Sequence, residues 1–265
     1  MGQHVLIAIP CHTGDVRNET VKSVLEGISG LKGFGIEYDV QFLNGCSMIP
    51  EARDILAGVF LSGKWTDIVW LDGDVSFPWQ DLIKLVSHPV DFVAGVYRYK
   101  RDIEEYPVSW LPGDLWAFDP VTGEPSETGL LEVEYVPMGF CRMTRSVLER
   151  MREYRKDFWF SQPMFPDLTF HGMFDREVYN GRSWGEDFVF CRRWREIGGK
   201  VLIDPSLRLT HTGTKSFSGC VGDWLRNRDK EPTAEQLAEK LRIAREQFSS
   251  PEFQLIMRQA TGEAA

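Results

Sequence analysis

The apolar run Ile68-Val69-Trp70-Leu71 ends in two carboxylates separated by one glycine, Asp72-Gly73-Asp74. Hard oxygen ligands at the end of a buried strand suit a divalent cation that keeps positions open for substrate phosphates. A tight Asp-Gly turn is the bland alternative. A calcium loop of the EF-hand type fails, because Phe77 and Ile83 stand where that loop needs Gly and Glu. Glu186-Asp187 follows Trp184-Gly185 and opens a helical stretch. Acidic residues there gain roughly 0.3–1 kcal/mol from the helix dipole, which explains them structurally. The same position suits a general base that stays ionised next to substrate and takes a hydroxyl proton. His211 ends an apolar strand before Thr212-Gly213. A lone His is commonly a hydrogen-bonded structural residue, yet two Asp and one His together suit Mn2+.

The elements that must position these groups alternate along the first half. Val5 to Ile9 reads as a buried strand stopped by Pro10, and Val21, Val24, Leu25 and Ile28 recur at helical spacing. Tyr38 to Leu43 alternates like a strand, Pro50 opens a helix through Phe60, and Ile68 to Leu71 is the third strand. A helix over Trp79 to Val86 and a strand over Phe92 to Val96 follow. This order predicts an α/β fold with a mostly parallel sheet flanked by helices. From Tyr106 to Glu132 the chain is rich in Pro, Gly and aromatics without periodicity. Beyond it, helices are expected over Arg145 to Met151 and Phe188 to Ile197, strands over Val201 to Ile203 and Leu207 to Thr210, and a peripheral helix from Ala234 to about Phe248.

The 265 residues carry 39 acidic and 30 basic side chains, a formal charge of -9, which argues against a general nucleic-acid surface. A local basic patch remains at Arg98, Lys100 and Arg101. Cysteines 11, 46, 141, 191 and 220 form no CxxC pair, which fits a reducing compartment rather than a zinc knuckle or disulfide framework. No apolar run reaches membrane-spanning length, so the expectation is a cytoplasmic protein without an integral membrane segment, peripheral membrane association being allowed. Trp110, Trp116, Trp159 and Trp184 sit in the irregular half, where flat rings suit stacking on sugars, although most buried Trp are simply core.

The order of strand-Pro10-Cys11-His12, Asp72-Gly73-Asp74, Gly185-Glu186-Asp187 and His211-Thr212-Gly213 resembles a nucleotide-sugar glycosyltransferase of the GT-A fold, family 2-like, over roughly residues 4 to 219. The resemblance implies a Rossmann-like domain over 1–225, with a nucleotide-sugar half at 1–101, an acceptor half at 102–225 and a helical extension at 226–265. It implies Mn2+ or Mg2+ on the DxD motif and His211, with Asp74 the direct ligand and Asp72 nearer the ribose or a metal-bound water. Asp187, beside Glu186, matches the base of inverting members. Pro10, Cys11 and His12 match the nucleotide contacts, as Gly73 does within the DxD. In Glu51-Ala52-Arg53-Asp54, Arg53 would face the donor, while Asp54 replaces the family's Asn. Met138-Gly139-Phe140 lies where members line the acceptor pocket.

Breaking a bond to a nucleotide diphosphate builds negative charge on the leaving group, and Arg53 and Lys215 are the candidate cationic side chains against it. Lys215 reads equally well as an exposed surface lysine. Tyr97-Arg98-Tyr99-Lys100, just past the fourth strand, is also within reach of the donor. The partners implied are a UDP- or GDP-sugar and a glycan or other hydroxyl acceptor, and the activity a hexosyltransferase. Two alternatives stand beside it. A nucleotidyltransferase would show a Gly-rich, Arg/Lys-containing loop after the first strand, which Pro10-Cys11-His12-Thr13-Gly14 lacks. A non-catalytic carbohydrate-binding relative would have lost its acidic residues. A dehydrogenase is set aside because no GxGxxG follows the first strand, and a serine hydrolase is set aside with it.

Overall fold

Strong apolar runs separated by amphipathic stretches give a three-layer structure in a computed structural model, which describes residues 2–12, 14–111, 129–227 and 242. The first half runs β1 (His4–Cys11), α1 (Asn18–Gly33), β2 (Glu37–Asn44), α2 (Ile49–Ser62), β3 (Asp67–Leu71), β4 (Val75–Ser76), α3 (Trp79–Ser87) and β5 (Phe92–Ala94). The second half runs β6 (Ser109–Trp110), β7 (Leu131–Tyr135), β8 (Phe140–Thr144), α4 (Arg145–Tyr154), β9 (Trp159–Gln162) and β10 (Phe165–His171). It continues with β11 (Glu177–Tyr179), β12 (Arg182–Trp184), α5 (Glu186–Glu196), β13 (Val201–Ile203), β14 (Leu209–Thr212), β15 (Ser216–Gly219) and α6 (Val221–Asn227). The helix expected from Ala234 to about Phe248 lies, Arg242 apart, outside the described residues, as does Trp116. The expected boundary at 225 falls inside α6. No helix among the described residues is long and apolar enough to cross a membrane.

The central sheet has eight strands in the order β2-β1-β3-β8-β5-β13-β7-β6. β2, β1 and β3 are mutually parallel, as are β5 and β13, while β8 and β7 pair antiparallel with both neighbours. The sheet is therefore mixed, with the parallel direction dominant. β8 was not expected. Phe140-Cys141-Arg142-Met143-Thr144 has no alternating pattern, because all but its last residue are buried. The charge that disguises it, Arg142, is neutralised at the base of the neighbouring strand by Asp67, Nε to Oδ1 2.9 Å.

Both faces of the sheet are covered, which is why β1 reads as an unbroken apolar run rather than an alternating one. Leu6 and Ala8 point to the side holding Leu56, Phe60, Val147, Phe190 and Trp194 of α2, α4 and α5. Val5, Ile7 and Ile9 point to the side holding Val24, Leu31, Leu82 and Leu85 of α1 and α3. Pro10 does not stop β1. Ladder pairing with β3 ends at Ala8, and beyond it β1 pairs with β2 alone through Cys11, where a missing N–H is tolerated.

A three-stranded sheet, β15-β14-β4, stands at the carboxyl end of β3. β4 follows Asp74 directly, and β14 pairs with it so that His211 lies opposite Val75 and Thr210 opposite Ser76. The Thr212 amide donates to the Asp74 carbonyl at 2.8 Å, fixing that register.

Candidate active site

The carboxyl ends of β1, β3 and β5 open onto a cleft of about 1070 Å³. Pro10, Cys11, His12, Arg53, Asp72, Gly73, Asp74, Glu186, Asp187, His211 and Lys215, all singled out in the sequence, line it together. This is the position at which ligands bind open α/β sheets.

The two aspartates of the DxD face different partners. Asp74 Oδ1 lies 3.5 Å from His211 Nε2, and its other oxygen accepts from the Lys100 ammonium. Burial alone would raise the Asp74 carboxyl, but His211 and Lys100 hold it down at about 2. His211 Nδ1 sits 3.0 Å from the Arg98 carbonyl, which can only accept, so that nitrogen carries the proton. Nε2 is thereby turned toward Asp74, the orientation in which a backbone carbonyl prepares a metal-binding imidazole. Neighbouring ligands on an octahedral ion with bonds of about 2.1 Å are ~3 Å apart, close to the spacing of this pair. Asp74 and His211 therefore fit a divalent cation with open positions. No group of three or more His, Cys, Asp or Glu side chains that could hold a metal occurs among the described residues.

Asp72, expected beside them as a ligand, is engaged elsewhere. Its Oδ1 accepts from Arg53 Nη2 at 2.9 Å and its Oδ2 from the Tyr97 hydroxyl at 3.1 Å. The cause is Arg53, which α2 delivers beneath the cleft at 3% exposure, where its charge requires carboxylate partners. Its guanidinium carbon stands 5.6 Å from the centroid of the Trp70 ring, and Nε lies 3.7 Å from Glu186 Oε1, beyond hydrogen-bond reach, with no hydrogen-bond partner. Burial works against the Arg53 charge, but Asp72 and Glu186 hold its pKa above the ordinary value. Burial and then Asp72 push the Tyr97 hydroxyl well up, so it stays a donor. Gly139 makes room for this cluster: its carbonyl accepts from the Asp72 amide at 3.0 Å, and a Cβ there would lie 2.6 Å from the Tyr97 hydroxyl and closer still to Asp72 Oδ2.

Glu186 and Asp187 occupy the first turn of α5, with Gly185 as N-cap. Asp187 Oδ1 accepts from the Phe188 amide at 2.8 Å. The helix terminus does not keep this carboxyl at an ordinary carboxylate value. Burial, then the neighbouring Glu186, raise it to about 6 against the pull of Arg53 and the amide. Burial and then Asp72 likewise push the Cys11 thiol up.

Other candidates resolve differently. The Lys215 ammonium reaches the cleft wall but is bound to Asp102. Asp54 does not line the cleft: it accepts the amides of Met173 at 2.8 Å and Phe174 at 3.0 Å, and burial pushes it up to about 8. None of Trp110, Trp159 and Trp184 lines the cleft. Trp184 instead packs with Tyr135 and Phe188, ring centroids 5.7 and 6.1 Å away. Gly181-Arg182-Ser183-Trp184-Gly185 has the spacing of a hydrolase nucleophile elbow. Ser183, however, lies on β12 of an exposed hairpin, with its hydroxyl accepting from Arg176 Nη2 at 3.3 Å, not on a strand-to-helix turn.

Sequence reasoning reached Tyr97 to Lys100 only as a segment near the donor. The structure shows residues 97–102 touching four site groups in succession. Tyr97 donates to Asp72, the Arg98 carbonyl faces His211, Lys100 binds Asp74 and Asp102 binds Lys215. An aromatic and basic run directly after a buried strand was the available signal.

No protein-family model matches the sequence, and no curated protein matches it. Among solved structures, A197 from STIV aligns over 80% of this chain and 86% of its own, at 22% identity and a TM-score of 0.45. GalNAc-T7 with UDP, GalNAc and Mn2+ aligns over 79% of this chain at 10% identity and a TM-score of 0.42, and this chain spans 43% of its length. A glycosyltransferase involved in the glycosylation of the major capsid of PBCV-1 aligns over 54% of this chain and 62% of its own, at 12% identity and a TM-score of 0.26. These are distant likenesses, so the chemistry of the cleft rests on its own side chains.

Proposed function

We propose that this chain is a metal-dependent glycosyltransferase that moves a sugar from a UDP- or GDP-sugar to a hydroxyl acceptor, a glycan being the favoured class. The observation that carries the reading is the meeting, in one cleft, of the Asp74–His211 pair, the buried Arg53–Asp72 pair and an Asp187 carboxyl raised to about 6. Asp74 and His211 would hold Mn2+ or Mg2+, which when bound would supply positive charge against the donor diphosphate.

The remaining roles belong to the protein. Asp187 takes the acceptor hydroxyl proton as that oxygen bonds to the anomeric carbon, and the bond from that carbon to the diphosphate oxygen breaks with its electron pair leaving on the phosphate. A base with a pKa near 6 is ionised at neutral pH and more basic than an ordinary aspartate, as general-base catalysis favours. Proton transfer to a base on the acceptor side fits inversion at the anomeric carbon. Arg53 holds Asp72 in one orientation beside the cleft, and Tyr97 fixes its second oxygen. Cys11 and His12, which line the cleft at the end of β1, are assigned to the nucleotide on this reading.

The test is Mn2+-dependent release of UDP or GDP from nucleotide-sugars, after a thermal-shift screen of donors with and without the metal. Asp74→Ala is expected to lower that release by at least two orders of magnitude. Undiminished release from the variant overturns the reading.

A further inference from the structure

The Asp74 carboxylate already has a cation. The Lys100 ammonium binds Asp74 Oδ2, while the imidazole of His211 faces Oδ1. Lys100 is carried by the same segment whose Arg98 carbonyl orients that imidazole. Its aliphatic stem runs along Gly213, where a Cβ would come within 3.0 Å of the lysine Cδ. The lysine side chain is about one-third exposed, and it meets the cleft through Asp74 and Gly213, both of which line it, the glycine leaving room for its chain.

We propose that Lys100 is the resident counter-cation of Asp74, that a divalent metal on Oδ1 competes with it for the charge of that carboxylate, and that the loosened ammonium becomes a phosphate-binding group for the nucleotide diphosphate. The inference rests on the reading of the cleft as a metal and nucleotide-sugar site. A dication entering between Oδ1 and the imidazole repels the ammonium on Oδ2 of the same carboxylate, so metal binding and lysine contact weaken each other. A diphosphate entering beside the metal offers the ammonium new oxygens. Metal and nucleotide then favour one another through the lysine: the metal frees the ammonium that the nucleotide needs, and the nucleotide gives the ammonium an alternative to Asp74. By linkage, each raises the affinity of the other by one common factor.

The exchange is read by binding, without turnover. Mn2+ is titrated calorimetrically into the wild-type chain, Lys100→Met and Lys100→Arg, each alone and with saturating UDP. Lys100→Met removes the competitor. A partly exposed ion pair suppresses metal binding by roughly two- to five-fold, so this variant is expected to bind Mn2+ tighter by that factor in the absence of nucleotide. With UDP present its advantage disappears or reverses, because the phosphate contact is also gone. Lys100→Arg keeps the charge and is expected to bind metal like the wild type. A lysine with only a structural role would weaken metal binding when removed, not strengthen it. Wild-type Mn2+ binding with no gain in Lys100→Met overturns the lysine exchange alone. Failure of all three proteins to bind Mn2+, with or without UDP, overturns the metal reading of the cleft and the exchange with it.

Discussion

Asp187→Asn is expected to make the protein more stable and less active at once. The carboxyl of Asp187 rises from the usual 3.8 to about 6 through burial and the nearby Glu186. Each tenfold change in proton affinity corresponds to about 1.4 kcal/mol, so keeping this group ionised in the folded state costs on the order of 3 kcal/mol at neutral pH, as an upper figure. Asparagine retains an oxygen for the Phe188 amide, 2.8 Å from Asp187 Oδ1, but carries no charge. The sign follows from the proton count. Between about pH 4 and 6 the folded chain holds a proton on Asp187 that the unfolded chain has lost, so this group's contribution to stability falls as pH rises through that window. Below it the folded and unfolded forms are both protonated, and above it the penalty is constant. Urea unfolding of wild type and variant from pH 4 to 7.5 should therefore show curves that meet near pH 4 and separate by about 1–3 kcal/mol above pH 6. The same variant should lose sugar transfer to the acceptor by several orders of magnitude, while wild-type transfer rises with pH through about 6. A variant no more stable than wild type at pH 7, or one that keeps transferring sugar, refutes the reasoning.

Two further perturbations test the floor of the cleft. Arg53→Met leaves Asp72 and Glu186 without their shared guanidinium, and breaking a buried pair of this kind costs about 3–5 kcal/mol, read by chemical denaturation. Adding Asp72→Asn should recover part of that loss, and additive effects would mean the pair is not coupled. Gly139→Ala drives a methyl group against Asp72 and the Tyr97 hydroxyl, so donor cleavage should fall at least tenfold with only a small change in melting temperature. An unaffected rate would show that the Asp72 carboxylate can move freely.

What the sequence disclosed about the fold came from elements whose environment is uniform. β1 and β3 are buried on both faces and read as apolar runs, and α2 carries its proline in the first turn. β8 escaped because its identity depends on a partner: Arg142 is tolerable inside the sheet only through Asp67, and no local pattern announces that pair. The site was legible as a set of residues but not as a set of contacts. Asp72 and Asp74, two positions apart in one short motif, looked equivalent, and only the burial of Arg53 from α2 separates their tasks. The irregular stretch 97–102 has no period to read, and its four successive contacts exist only once the fold brings Asp72, Asp74, His211 and Lys215 beside it.

The short ladder between β4 and β14 has a bearing on assembly. Only two residue pairs, Thr210 with Ser76 and His211 with Val75, align the imidazole with the acid that precedes β4. Side chains of a strand alternate between faces, so a slip of a single residue would send the ring to the opposite side. On the proposed metal reading, capture of Mn2+ would report whether the late hairpin has docked in its native frame, and affinity for Mn2+ during refolding would serve as a clock for that event.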